Sequence, residues 1–413
     1  MSGGRQRSGR DITLNPVTHS PGQDAPTLAA LTSIGLGGPA LSVASAASAT
    51  EVAELVGGAD RNGGALVLGG GSNLVVADAG IDVPVVRITV PGVEVDDATG
   101  VATIGAGETW DMVVAELVAR GWTGIEALSG IPGAAGATPV QNVGAYGIEI
   151  RDLLVDVGVY RRDTGELTRL PAAELRLGYR SSALKGTDRA VVTDVRLRLS
   201  RTAGPVRYPE LARLLGVAVG GAAPAAAVRQ AVLQLRRSKG MVLDPADRDT
   251  ASAGSFFTNP IVPAASLTQL REAVAVRLGP DVTMPEYPAR AGDSENLLLD
   301  SAGLATTCDD APGHVNQQEV FRISPASGPA SGHAKLSAAW LIERAGFPKG
   351  YPLAKRPDAG IALSTKHTLA LTNRGHGTTA ELLALAREIR DGVREAFGVT
   401  LQPEPVLVGC SLD

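Results

Sequence analysis

Apolar residues recur along this chain in two rhythms, and each change of rhythm marks an element. Val52, Leu55 and Val56 follow a helical spacing, and Ser48-Ala-Thr-Glu51 before them has the spacing of a capping box, so a helix is predicted there. Ala65 to Leu68 is a short apolar run that reads as a buried strand. It ends in Gly69-Gly70-Gly71-Ser72-Asn73, and Leu74 to Val76 resume a strand. Strand, glycine-rich turn, strand is not the strand–turn–helix of a Rossmann unit, and no GxGxxG spacing occurs. Val83 to Val95 and Val101 to Ala106 read as β-rich, followed by a helix over Trp110 to Val118. Strands resume at Val155–Tyr160, turn at Asp163-Thr-Gly165 and end on the alternating Val195, Leu197 and Leu199.

Helical patterns dominate afterwards, over Ala225–Arg237, Ala264–Val276 and Leu336–Ala345. Thr378-Thr-Ala-Glu381 caps a last helix that carries Leu382, Leu385, Ile389, Val393 and Phe397 on one face and stops at Gly398. Two stretches lack either rhythm. Gly130 to Gly147 is glycine-rich and almost without charge, too irregular for a helix and too apolar for a solvated loop. Residues 289–332 cluster Gly, Ser, Asp and Pro, which reads as an inserted loop or a disordered segment.

Composition narrows the class. At 413 residues the chain is long enough for two to three domains. Aromatic residues are only 3%, so Ala, Val and Leu must fill most of the core. A net charge of −5 gives no basic face for nucleic acid, and no run of about 18 apolar residues could span a bilayer. Met1 to Ser20 is polar, Gly-, Ser- and Arg-rich and has no apolar stretch of a secretion signal, so it reads as a disordered tail. Two cysteines, Cys308 and Cys410, make neither a disulfide framework nor a multi-cysteine metal site, and no metal is expected. A reduced, cytoplasmic protein follows from that reading. Lysine is scarce beside arginine, confined to Lys185, Lys239, Lys335, Lys349, Lys355 and Lys366, so a lysine in this chain says more about its position than an arginine does.

Three glycine-rich segments carry candidate chemistry. Gly69, Gly70, Gly71, Ser72 and Asn73 after a buried strand could leave backbone N–H groups converging on an anion such as a pyrophosphate; an ordinary tight turn is the plain alternative. Gly105-Ala-Gly107 and the tract from Ile131-Pro132-Gly133 to Gly147 suggest a long groove lined by backbone, suited to an extended dinucleotide. Gln141, Asn142 and Tyr146 are placed for hydrogen bonds to a heterocycle edge. A tightly packed structural loop explains the same glycines.

In combination the motifs are more specific. Leu68-Gly-Gly-Gly-Ser-Asn-Leu74, Gly105-Ala-Gly-Glu-Thr-Trp110, Ser129-Gly-Ile-Pro-Gly133 and Pro139-Val-Gln-Asn-Val-Gly-Ala-Tyr-Gly147 resemble the UDP-N-acetylenolpyruvoylglucosamine reductases, the MurB family. So do Tyr179-Arg-Ser-Ser182, Ala253-Gly-Ser-Phe-Phe-Thr-Asn-Pro260, Lys335-Leu-Ser-Ala-Ala-Trp-Leu-Ile-Glu343 and Leu401-Gln-Pro-Glu-Pro405. They occur in family order from about Leu31 to the C-terminus.

The resemblance implies an α+β protein: a vanillyl-alcohol-oxidase (PCMH-type) FAD-binding module of two lobes, plus a C-terminal α+β substrate domain. The expected division is a tail over 1–22, a first lobe over 23–90 joined by 401–413, a second lobe over 91–240, and a substrate domain over 241–400 carrying the 289–332 insertion. It implies non-covalent FAD and NADPH as hydride donor. In the implied relay NADPH reduces FAD, flavin N5 gives hydride to the enolpyruvyl C3 of UDP-N-acetylglucosamine enolpyruvate, and a proton is added at C2. The product is UDP-N-acetylmuramate.

Residue roles carry over by motif. Arg180, Ser255 and Glu404 match the family's catalytic residues: Arg180 for the substrate carboxylate, Ser255 as proton donor, Glu404 as the catalytic glutamate. Gly69, Gly70, Gly71, Ser72, Asn73, Gly105, Gly107, Pro132, Gly133, Gln141, Asn142, Gly144 and Tyr146 are the expected cofactor-binding set. Tyr208, Lys239 and Asn259 are expected on the substrate, with Lys239, after Arg236-Arg237, on the diphosphate. Without the resemblance, Ser255 is an ordinary turn residue, Arg180 a surface charge and Lys239 a basic helix end. Arg344 and Lys366 read as surface charges.

Two features depart from the family pattern. Gly35 stands where the family often has arginine, and the stretch between Lys239 and Ser255 is long. A monomer with small-molecule partners is expected. Two alternatives stay open: an FAD oxidase or dehydrogenase of the wider vanillyl-alcohol-oxidase family, and a non-catalytic FAD- or UDP-sugar-binding homologue.

Overall fold

The computed structural model describes residues 26–289, 293 and 333–413; the expected tail and, beyond Ala289 and Asp293, the expected insertion lie outside the described residues. The first region runs β1 (Val43–Ala46), α1 (Ala49–Asp60), β2 (Leu66–Leu68), β3 (Leu74–Val76) and β4 (Val85–Ile88). Ser48 caps α1 through its hydroxyl, which accepts from the Glu51 N–H at 3.1 Å. The Glu51 carboxylate reaches back to the Ala47 N–H at 2.7 Å. A parallel sheet forms in the order β1-β4-β2.

The second region holds β5 (Val93–Asp96), β6 (Val101–Gly105), α2 (Trp110–Ala119), the short pair β7 (Gly144–Ala145) and β8 (Ile148–Glu149), then β9 (Leu154–Arg161), β10 (Leu167–Pro171) and β11 (Ala190–Arg198). It closes with α3 (Pro209–Leu215) and α4 (Ala225–Ser238). Strands β10-β9-β11-β6-β5 make an antiparallel sheet in that order. One face buries Ile104, Val157, Val195 and Leu197 with Trp110, Val114 and Leu117 of α2, together with Val52 and Val56 of α1. The other is charged: Asp156 accepts from Arg169 and Arg196, each at 2.8 Å. Alternation of apolar and polar positions is what made β11 readable in sequence. Strand β10 escaped it because this edge strand is exposed along most of its length, and α3 because its seven residues, beginning at Pro209, span only two turns.

The third region comprises β12 (Ile261–Pro263), α5 (Ala264–Leu278), β13 (Glu286–Pro288), β14 (His333–Leu336), α6 (Ala338–Arg344), β15 (Ile361–Leu363), β16 (Leu371–Asn373), α7 (Thr379–Phe397) and β17 (Val406–Val408). The capping box at Thr378 and Glu381 and the left-handed Gly398 bound α7 as the sequence predicts. Its apolar stripe packs with Leu267, Leu270, Leu341 and Ile342 of α5 and α6. The chain end returns to the first region, where β17 pairs in parallel with β3, Val406 opposite Leu74. Asp78, just after β3, accepts from the Thr379 and Ala380 N–H groups at the start of α7. Cores run across the expected domain bounds: Ile34, Leu36 and Val75 lie in the C-terminal core.

Candidate active site

Three distant segments meet where β3 and β17 run side by side. Just before β17, the Glu404 N–H donates to the Phe256 carbonyl at 2.9 Å, and the Thr258 N–H donates to the Gln402 carbonyl at 3.0 Å. Ser255 therefore stands one residue from the strand-like contact that fixes Glu404. Its hydroxyl has no hydrogen-bond partner among the described residues. Glu404 in turn accepts from Arg180 Nε at 2.9 Å. Arg180 Nη2 donates to the Gly144 carbonyl at 3.1 Å. Burial opposes the charge on Arg180, but Glu404, with Tyr179 and Glu149, together outweigh it and hold the guanidinium above its ordinary pKa. The structure thus brings Arg180, Glu404 and the Ser255 segment together.

The first glycine-rich loop adjoins them. Asn73 Nδ2 donates to Gln141 Oε1 at 2.6 Å and to the Glu404 carbonyl at 3.2 Å. Ser72 Oγ donates to the Pro132 carbonyl at 3.0 Å. A Cβ on Gly70 would come within 2.6 Å of Gly133 Cα, and one on Gly133 within 2.5 Å of Ser72 Oγ. Glycine here lets two backbones touch. Gly105 and Gly107 do the same against residues 89–91. For these positions the packed-loop alternative describes the geometry. The anion reading keeps a separate support: among the described residues nothing accepts from the N–H groups of Gly69 to Asn73. A row of successive free donors is what a nucleotide phosphate needs, so these residues fit FAD.

Other expected ligands are engaged within the protein. Asn142, fully buried at φ 45°, donates to Glu149 Oε2 and the Gly178 carbonyl at 3.0 and 2.8 Å and accepts from the Arg151 N–H at 2.9 Å. Its amide fixes the β7–β8 hairpin rather than pointing out for a heterocycle. Asn259 Oδ1 accepts from the Ala338 N–H at 3.0 Å and so caps the start of α6. Tyr146, also left-handed at φ 51°, meets Tyr208 edge-to-face at 5.3 Å; burial raises its phenol above the usual value. Lys239 at the end of α4 pairs with Glu210 of α3 at 2.8 Å, which outweighs burial and raises its pKa. Lys366 pairs with Asp247 at 2.5 Å, Arg344 lies over Trp340, and Gly35 takes φ 68°, where an arginine would be strained.

Sequence reasoning passed over several groups here. Lys185 Nζ donates to the Arg180 carbonyl at 2.9 Å. Lys335 lies 4.7 Å from the centre of the Tyr179 ring, and the Tyr179 hydroxyl accepts from the Asn259 N–H at 3.4 Å. Arg236, which the sequence places beside Lys239 for the diphosphate, has a buried Nε without a partner among the described residues, and burial pushes its pKa down. Burial, then Lys239, Lys349 and Arg236, hold His367 down to about 4. Tyr179 and Lys335 sit inside the quoted motifs and Lys185 among the six lysines; those were the available signals. Among the described residues no cluster of His, Cys, Asp and Glu could hold a metal, and no helix is long and apolar enough to cross a membrane.

Residues 244–408 match the family model for the UDP-N-acetylenolpyruvoylglucosamine reductase C-terminal domain, and residues 40–171 match one for an FAD binding domain. A Saccharopolyspora erythraea protein named UDP-N-acetylenolpyruvoylglucosamine reductase is 51% identical, with 93% of this chain and 95% of that protein covered. One of the same name from Thermobifida fusca is 50% identical, covering 93% and 97%. The solved MurB structure from Thermus caldophilus aligns with a TM-score of 0.56 over 93% of this chain and 97% of its own, at 22% identity, a likeness of fold.

Proposed function

The chain belongs to the UDP-N-acetylenolpyruvoylglucosamine reductase family, and on that premise we propose which of its residues carry the reaction. It is an FAD-dependent oxidoreductase that reduces UDP-N-acetylglucosamine enolpyruvate in peptidoglycan synthesis, with NADPH as the reductant. Neither a wider-family oxidase nor a non-catalytic homologue is needed to explain it. When bound, FAD supplies the reducing equivalents that NADPH delivers to it. The chain's own residues must then bind the anionic substrate, hold the cofactor phosphates and supply a proton.

The free N–H groups of Gly69 to Asn73 hold the cofactor's phosphate, and the touching backbones at Gly70 and Gly133 fix that loop. Reduction at C3 pushes negative charge toward C2 and the adjoining carboxylate. Arg180 meets that charge: the bonds to Glu404 and Gly144 use two of its five N–H donors and aim the rest. Ser255 donates the proton at C2. A serine hydroxyl is a weak acid, so its place beside the Arg180–Glu404 pair is what suits it to the task. Lys239 and Tyr208 serve the nucleotide end, and Asn259 supports the substrate side by fixing α6. The two soluble substrates support a cytoplasmic setting.

The carrying observation is the Arg180–Glu404 pair held against the Ser255 segment. Ser255→Ala tests it: NADPH still bleaches the flavin at the wild-type rate, while reoxidation by the enolpyruvyl substrate slows by at least about a hundredfold. Unchanged turnover would remove Ser255 from the mechanism.

A further inference from the structure

We propose that Lys185 is a positioning residue for this reduction, an ammonium clamp on the Arg180 carbonyl that aims the guanidinium. The inference rests on the role given to Arg180 above. Arg180 lies at the tip of a tight loop closed by mutual backbone bonds between Gly178 and Ser181, at 3.1 and 3.3 Å. Its φ of 52° is left-handed, a conformation that long side chains rarely adopt. Such a residue keeps its aim only if its surroundings over-determine it. Two of the restraints act on the side chain, through Glu404 and Gly144. The third acts on the backbone, where Lys185 Nζ reaches the Arg180 carbonyl at 2.9 Å.

Lys185 is itself anchored. Its N–H donates to Ser182 Oγ at 3.3 Å, and Ser182 Oγ donates to the Val140 carbonyl at 2.5 Å, tying the clamp to the 130–147 tract. No carboxylate among the described residues lies within ion-pair distance of Lys185. Burial depresses its pKa, Glu404 partly restores it, and Arg180 opposes the charge. A half-buried cation without a partner acid carries a desolvation cost that an apolar side chain in its place would not. What the ammonium adds is one strong point donor on one carbonyl. Arginine, which this chain uses almost everywhere else, presents a wider fork that does not match a single acceptor. The sequence supplies only 6 lysines among 38 basic residues, and one of them is here.

The test uses the FAD-loaded protein with Lys185→Met, which keeps length and removes the donor. We expect FAD retention, melting temperature, UDP binding by calorimetry and flavin reduction by NADPH to stay at wild-type values. Reoxidation by the enolpyruvyl substrate slows at least about tenfold, the scale of one charged hydrogen bond. Added to Arg180→Lys, the change has no further effect. Reoxidation at the wild-type rate, or an equal fall in UDP binding and both half-reactions, would overturn the proposal. If Lys185→Met does not hold FAD, Lys185→Arg decides by the same comparison, since it keeps the charge and alters only the point contact. Failure of the underlying reading shows separately, as Arg180→Lys alone reoxidising normally.

Discussion

His367 shows how the cationic side of the site weighs on one side chain. Unfolded, an imidazole takes its proton near pH 6.5; here burial and the neighbouring Lys239, Lys349 and Arg236 delay that to about 4. Its contribution to stability is therefore full above pH 6.5 and is lost as the pH falls from 6.5 to about 4. At pH 5 the loss is about 2 kcal/mol. His367→Gln should narrow the difference in melting temperature between pH 7 and pH 5; an unchanged difference would mean the imidazole is not held neutral. Asn142 is the opposite lesson. In sequence its amide looks like a ligand for a heterocycle, but its three partners, Glu149, Gly178 and Arg151, become neighbours only when the β7–β8 hairpin closes. Asn142→Gly keeps the left-handed backbone and loses only those bonds, so urea unfolding should show a loss of about 2–4 kcal/mol. A loss below about 1 kcal/mol would show that the bonds matter little. The charged residues were legible by motif, while Lys185, whose ammonium meets the Arg180 carbonyl, was not: no local pattern marks a donor to a carbonyl five residues away.

Elements announced by local signals were read from sequence almost to the residue. Helix α7 is the clearest, because Thr378, Glu381 and Gly398 state its ends and Leu382, Leu385, Ile389 and Val393 state its buried face. The short pieces around the site, α3 and the β7–β8 pair, carry no such signals, since tertiary contacts rather than propensity decide them. The glycine-rich loops fall between. Their glycines were visible, but which ones admit backbone rather than ligand depends on what lies opposite. Gly70→Ala tests the element: its Cβ would sit 2.6 Å from Gly133 Cα and 2.9 Å from the Ala134 nitrogen, forcing the loops apart. We expect a near-native circular dichroism spectrum with loss of FAD on gel filtration. Retention of FAD at wild-type occupancy would show that the contact between loops does not shape the cofactor site.

Across the whole molecule the chain end completes the first region. Strand β17 pairs with β3, the Val406 N–H donates to the Asn73 carbonyl at 2.9 Å, and Asn73 in turn bonds the Glu404 carbonyl. Truncation after Pro405 should therefore release FAD and lower the melting temperature together. Full FAD occupancy in the truncated chain would separate the cofactor site from the C-terminal strand. The same geometry joins the 69–73 loop, the Arg180–Glu404 pair and the Ser255 segment into one unit, the arrangement that a relay from NADPH through the flavin to an enolpyruvyl sugar requires. The most direct measurement is an anaerobic visible spectrum of the purified protein, taken before NADPH, after one equivalent of it, and after UDP-N-acetylglucosamine enolpyruvate is added. A yellow protein that bleaches with NADPH and regains its colour with the enolpyruvyl substrate is the predicted result. A bleached flavin that stays reduced in the presence of that substrate would contradict the account.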